Sequence, residues 1–207
     1  MSLDTWLLFL AVSLLPAISP GPGVLLAISN ALRFGTMATF VSATGNAVGL
    51  VILGYAVTMG LGALMAASAL AFTMVKLIGA AYLVYLGVKL FRDKTAFVPA
   101  TDINLPRQSN WRLFSTALFI SISNPKAIFI IAALFPQFLG SGSYDLGAIS
   151  ILSFTYAFMC FVNHALLGLF GGKIRKALKS ATLITRVRKS LGAAFIGFGA
   201  ALAAATR

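Results

Sequence analysis

Ser19-Pro20-Gly21-Pro22-Gly23 stands just past the midpoint of an apolar run extending from about residue 5 to residue 29. Proline has no N–H and clashes with the preceding turn, so an uninterrupted helix cannot pass through this stretch. The flanks are nevertheless as apolar as a membrane-spanning helix requires. In hydrocarbon the backbone groups freed by such a break must find partners, and a broken helix persists only where protein or a wet cavity surrounds it. A cleaved signal peptide is the competing explanation, but it needs a basic leading segment. Here the start carries Asp4 with no Lys or Arg, and the apolar character resumes after Pro22. The stretch reads as a retained span with a break inside the membrane.

The rest of the chain has the same solvent. Of 207 residues, 59% are hydrophobic and 10% charged, against about 25% charged in soluble domains. The mean hydropathy is +0.96. Too few polar side chains exist to cover a water-facing surface, and the length suits one domain. A spanning helix needs about 20 apolar residues. Six runs qualify, at roughly 5–29, 39–65, 70–90, 113–137, 146–170 and 191–206. The last has only 16 residues before Arg207, so it must tilt little or begin earlier, near Lys189. Five spans with one interfacial helix is the alternative.

The net charge is +12, with four Asp and no Glu. Nucleic acid is not the expected partner, because no aromatic–basic pattern accompanies the charge and basic residues belong at the cytoplasmic ends of spans. Arg33 lies between spans 1 and 2. Lys89, Arg92, Lys94, Arg107 and Arg112 lie around the connection of spans 3 and 4. Lys173, Arg175, Lys176, Lys179, Arg186, Arg188 and Lys189 lie between spans 5 and 6. Thirteen basic residues thus fall on one side, and the other holds Asp4, Asp145 and Arg207. That bias predicts both termini outside, with loops 92–112 and 173–190 in the cytoplasm. Segment 173–190 alternates apolar and basic residues at helical spacing, which suits either a helix on the headgroups or a solvated basic loop. Stretch 95–110, with Pro99 and Pro106, reads as a linker.

Three spans per half invert the second half relative to the first. The expected fold is an all-α membrane protein of six transmembrane helices in two inverted repeats, about 1–90 and 113–207, joined by the linker 91–112 within a single domain. A matched pair of Pro/Gly-interrupted spans points to the binding site of such an architecture. The partner of the span 1 break is Asn124-Pro125-Lys126 at the centre of span 4, followed by Pro136. Each break also reads as a fresh helix start, with Ser19 or Asn124 as cap and proline in the first turn. A helix N-terminus offers unpaired N–H groups and partial positive charge, which suits a carboxylate. The expected substrate-binding residues are Ser19, Pro20, Gly21, Pro22, Gly23, Asn46, Asn124, Pro125 and Lys126. The bland reading is that the prolines only kink helices for packing.

A lysine at the bilayer centre costs about 2.5–3.5 kcal/mol on insertion scales, so it faces a cavity or a partner. Lys126 therefore either binds a substrate carboxylate or responds to proton movement, or it caps the carbonyl groups of a broken helix. Lys76, near the outer face, is explained by snorkelling. His164, in span 5, is either a carrier of a coupling proton or a hydrogen-bonded packing residue. Asn46, between Gly45 and Gly49, either binds substrate or holds helices together. Gly35, Gly54, Gly60, Gly62, Gly79, Gly87, Gly192 and Gly197 extend the small-residue pattern that lets helices approach closely. Cys160 has no internal disulfide partner, and no Cys/His spacing suits a metal, so no cofactor is expected. No acid falls within any span, so a cationic substrate would lack a countercharge and a neutral one is favoured.

Pro20-Gly21-Pro22, the glycine-rich span 2, the run K-L-I-G-A-A-Y-L-V-Y-L-G-V-K-L-F-R from Lys76 to Arg92, and Asn124-Pro125-Lys126 together resemble the LysE/RhtB family of amino-acid exporters. The likeness covers essentially the whole chain. It implies efflux of amino acids or close derivatives across the bacterial inner membrane, driven by the proton gradient as in an antiporter. Resemblance to the homoserine/threonine branch implies small neutral substrates. The expected partners are a small amino acid, the lipid bilayer and protons, with self-association into a homo-oligomer left open. The competing classes are a channel, an exporter of a non-amino-acid metabolite, and a membrane enzyme. An enzyme would need paired acids, an activated nucleophile or a metal cluster, and these are missing from the sequence.

Overall fold

The computed structural model describes residues 1–92, 108–139, 145–173 and 180–204. Within these, the chain is all helix. The helices are α1 (Leu3–Ile18), α2 (Pro22–Arg33), α3 (Gly35–Ala67), α4 (Ala69–Arg92), α5 (Asn110–Ile122), α6 (Pro125–Leu134), α7 (Leu146–Leu169) and α8 (Ala181–Ala204); a 3₁₀ turn, Phe135–Gln137, extends α6.

Helices α3, α4, α7 and α8 are each long and apolar enough to cross a membrane. The other four have 16, 12, 13 and 10 residues, all short of the ~20 that a span needs. They cross only as the pairs α1–α2 and α5–α6, which bend by 61° and 53° at their breaks. Counted so, the described residues hold six candidate spans, at the places the apolar runs predict. The last differs at its start. Helix α8 begins at Ala181, so Arg186, Arg188 and Lys189 are part of it and not of a cytoplasmic loop. The span therefore reaches full length, because long basic side chains let a helix run on past the hydrocarbon boundary. Of the basic segment 173–190, residues 174–179 lie outside the described residues, as do residues 93–107 of the linker and the side chain of Lys76.

Exposed surface identifies the solvent. Leu8, Ile52, Met74, Phe119, Phe154 and Phe158 are all exposed, a scale of apolar exposure that water does not tolerate on a monomeric protein. Inside, Phe9, Leu83, Ile131, Leu134, Phe135 and Leu152 form the centre of a continuous core. Helix α3 packs against α5 and α7, α4 against α8, and α7 against both α1 and α2.

Glycine sets how near these helices come. A Cβ on Gly45 would overlap the Phe114 carbonyl oxygen, and one on Gly49 would lie 2.8 Å from that of Leu118, so α3 and α5 touch backbone to backbone. Helices α4 and α8 do the same, with Gly87 and Gly192 each placed 2.6–2.8 Å, Cβ to oxygen, from the other's carbonyl. Gly35 instead turns the chain from α2 into α3, with φ of 83°, a conformation that side chains resist.

Two alanine substitutions in α3 test this packing. Gly60 has nothing within 4 Å of a new Cβ, so Gly60→Ala should be neutral or raise stability by up to about 1 kcal/mol. Gly45→Ala should lower it by about 1–3 kcal/mol, since backbone cannot yield cheaply. Thermal unfolding in one detergent would measure both.

Candidate functional site

The first break is a direct consequence of Pro20. Helix α1 closes its last internal bond from Ser19 N–H to the Leu15 carbonyl, at 3.1 Å. The next bond would run from residue 20 to the Pro16 carbonyl, but proline has no N–H to donate. The stranded carbonyls are met from elsewhere. Lys126 Nζ donates to the Pro16 oxygen at 3.1 Å and to the Ser19 oxygen at 2.7 Å. Asn163 Nδ2 donates to the Ala17 oxygen at 3.1 Å. Ser19 Oγ adds a bond to the Pro16 oxygen at 3.2 Å.

Lys126 therefore bridges the two breaks. It sits in the first turn of α6, after Asn124 and Pro125, and it is buried. Asn124 caps α6 by accepting from Lys126 N–H at 3.0 Å, and Pro125 occupies the position where a missing N–H costs nothing. A cation is unfavourable at the N-terminus of its own helix, but the side chain carries the charge across to the C-terminus of α1, where a dipole favours it. Lys126 thus performs the capping role that was one of its two sequence readings. An ammonium has three N–H donors. Two are used here among the described residues.

The second helix of span 1 starts differently. Ser2, Ser109, Asn124 and Asp145 each cap the helix that follows them. The corresponding position of α2 is Gly21, which has no side chain to do so. Ser19 does not fill this role, contrary to its reading as a cap, because it terminates α1 and its hydroxyl turns back to Pro16. The first turn of α2 therefore presents its N–H groups without a side-chain cap. A Cβ on Gly21 would lie 2.9 Å from Lys126 Cδ and 3.3 Å from Nζ. One on Gly23 would lie 2.9 Å from Asn46 Oδ1 and 3.5 Å from His164 Cε1. Glycine at both positions is what lets these side chains approach the helix start.

Between the breaks is a cavity of about 30 Å³. Gly21, Gly23, Asn46, Asn124, Lys126 and His164 line it, so six of the residues singled out in the sequence converge there. Ser19, Pro20, Pro22 and Pro125 do not line it; they shape the backbone behind it. Tyr156 and Cys160 also line the cavity and were not expected. With His164 they recur every four residues on one face of α7, among the buried positions Leu152, Ser153, Ala157 and Gly168. The spacing is present in the sequence, but most neighbours are apolar and nothing marks that face as the inner one. Asn163, adjacent to His164, was missed for the same reason. Among the described residues no Asp lines the cavity.

Side-chain contacts flank the cavity on two sides. Towards the N-terminal end of α1, Phe135 meets the Tyr156 ring edge-on at 6.3 Å between centroids, and Phe9 meets Phe135 at 5.6 Å and Phe138 at 5.1 Å. Towards the α2–α3 turn, Phe40 packs on Phe161 at 6.1 Å, and Thr36 Oγ1 donates to the Gly168 carbonyl at 3.0 Å. At about 30 Å³ the space suits a water or two and is too small for an amino acid. A separate apolar cleft of about 430 Å³, lined by Leu15, Pro16, Leu83, Ile130 and Phe195 among others, lies between α1, α4, α6 and α8. Pro16 borders both spaces.

The caps make a stability prediction. Asn163→Leu should leave the Ala17 carbonyl without a donor and cost about 1–3 kcal/mol. Asn124→Ala should cost about 0.5–2 kcal/mol, largely restored in Asn124→Asp, which keeps the capping oxygen. Thermal unfolding in detergent would show either loss; an unshifted transition in Asn163→Leu would remove that bond from the account.

Comparison with known proteins places this geometry. A family model described as LysE type translocator matches residues 14–206. The chain is 36% identical to an uncharacterized membrane protein of Vibrio cholerae over 99% of both chains. It is 33% identical to a homoserine/homoserine lactone efflux protein of Salmonella typhimurium and 32% identical to the protein of that name from Salmonella typhi, in each case over 99% of this chain and 98% of the relative. No solved structure matches.

Proposed function

The chain belongs to the LysE type translocator family, and from that premise we propose that it exports small neutral amino acids, or close derivatives such as their lactones, from the cytoplasm. It is a membrane transport protein and not an enzyme. The substrate class draws support from the relatives named as homoserine/homoserine lactone efflux proteins. The observation that carries it is the pairing of opposite helix ends in one cavity. The uncapped start of α2 and the Lys126 ammonium suit a carboxylate, and the carbonyls of Pro16 and Ser19 suit an ammonium. With no acid lining the cavity, a second positive charge on the substrate would have no partner.

Transport proceeds by alternating access about this site. We assign the aromatic stack of Phe9, Phe135, Phe138 and Tyr156 as the gate on one side and the α2–α3 turn region as the gate on the other, on the contacts that flank the cavity. The inverted-repeat reading finds support in the pairing of equivalent helices, α3 with α7 and α4 with α8. The apolar cleft beside α1 leaves the α4–α8 pair room to shift. His164, which lines the cavity, is the group we assign to proton coupling. The thirteen basic residues on one side support a bacterial inner-membrane location with both termini outside.

The test is release from intact cells. Cells expressing the protein and fed dipeptides, which overfill the amino-acid pool, should release one or a few neutral amino acids in excess of an empty vector, at a saturable rate. Lys126→Ala should reduce that release at least tenfold, the loss of about one charge-assisted hydrogen bond. His164→Gln should remove its dependence on the pH gradient. Release equal to the empty vector would contradict amino-acid export, and a non-saturating rate would favour a channel. A thiol introduced at Ser2 should react with an impermeant maleimide from outside the cell; protection until lysis would reverse the orientation.

A further inference from the structure

Lys126 poses a question that capping alone does not answer. A neutral donor satisfies a stranded carbonyl at far lower cost than a buried ammonium, as Asn163 does for Ala17 only one residue from Pro16. The Pro16 and Ser19 oxygens instead converge on a single nitrogen, at 3.1 and 2.7 Å, at the negative end of α1. Two acceptors so placed match a primary ammonium ion, and one of them, Pro16, borders the cavity that Lys126 lines. At about 30 Å³ the cavity admits no amino acid beside it. Of the side chains lining it, Lys126 is the longest and most flexible, and it is the one whose withdrawal frees both space and acceptors.

We propose that the Pro16–Ser19 carbonyl pair is the binding site for the substrate's α-ammonium group, and that the Lys126 ammonium fills it as a tethered stand-in when the transporter is empty. The identity of the second occupant rests on the efflux reading; the ammonium site itself does not. On loading, the substrate ammonium takes the two carbonyls. Lys126 Nζ moves to the substrate carboxylate, beside the start of α2, where Gly21 already leaves it room. Each carbonyl keeps a charged donor throughout, and no buried charge is left unpaired in either state. The empty carrier is thereby stable without a bound ion.

Chemical rescue tests the site apart from transport. Purified Lys126→Ala protein would be unfolded thermally with methyl-, ethyl-, propyl- or butylammonium chloride, with tetramethylammonium chloride as a cation lacking N–H, and with sodium chloride at equal ionic strength. The expected result is a saturable rise in Tm with the primary ammonium ions alone, absent in the wild type. A shift that tetramethylammonium reproduces, or no saturable shift, would overturn the site. Lys126→Met, which fills more of the space, is treated identically if the alanine variant fails to fold. A second measurement uses the wild type in membrane vesicles. The amino acid identified by the release assay should compete for transport at least tenfold better than its N,N,N-trimethyl analogue, which keeps both charges but has no N–H to donate. Equal competition would overturn use of the site by substrate, even with rescue intact.

Discussion

The hydrogen bonds that Pro20 cannot make are what the centre of this protein is organised around. In hydrocarbon a stranded carbonyl has no water to turn to, so the break in span 1 would be untenable alone. It is tenable because span 4 breaks at the same depth and sends Lys126 into the gap, while α7 contributes Asn163. Two imperfect spans thus complete one another. The close glycine contacts of α3 with α5, and of α4 with α8, hold the frame in which the two breaks meet.

On the proposed reading, the same arrangement supplies the chemistry of recognition. A zwitterion needs donors at one end and acceptors at the other, and a broken helix exposes one kind on each side of its break. In span 1, α1 contributes carbonyls and α2 contributes N–H groups, with Gly21 withholding the kind of side chain that caps five of the other helices. No acidic side chain has to be carried into the membrane for this purpose. On that reading backbone groups bind the substrate at lower desolvation cost than an ionised carboxylate would. The aromatic stack lies on one side of this site and the α2–α3 turn on the other.

Spans and breaks were legible in the sequence because both are statements about composition over many residues. Twenty apolar residues have one economical fate in lipid, and proline interrupts a helix wherever it falls. What depended on direction was harder to read. Tyr156, Cys160 and Asn163 lie in a helix apolar on every face, where lipid-facing and inward-facing positions look alike. Ser19 reads equally well as the start of one helix or the end of another, and the structure makes it the end of α1. The basic residues of 186–189 read either as a helix on the headgroups or as a solvated loop, and the structure makes them part of α8. Lys126 carried two readings, and its capping contacts emerge only when span 1 is placed beside it.

The claim at the centre is that the breaks form one amino-acid site with the carboxylate at the start of α2. The most direct measurement is a solid-state NMR distance. The exported amino acid, labelled with ¹³C at its carboxylate, would be bound to protein labelled with ¹⁵N in its backbone. The expected result is dipolar dephasing from Gly23 and Val24, at a carbon-to-nitrogen distance of about 4 Å, as a hydrogen bond requires. A bound substrate whose carboxylate dephases neither nitrogen, or couples instead to residues remote from both breaks, would contradict it.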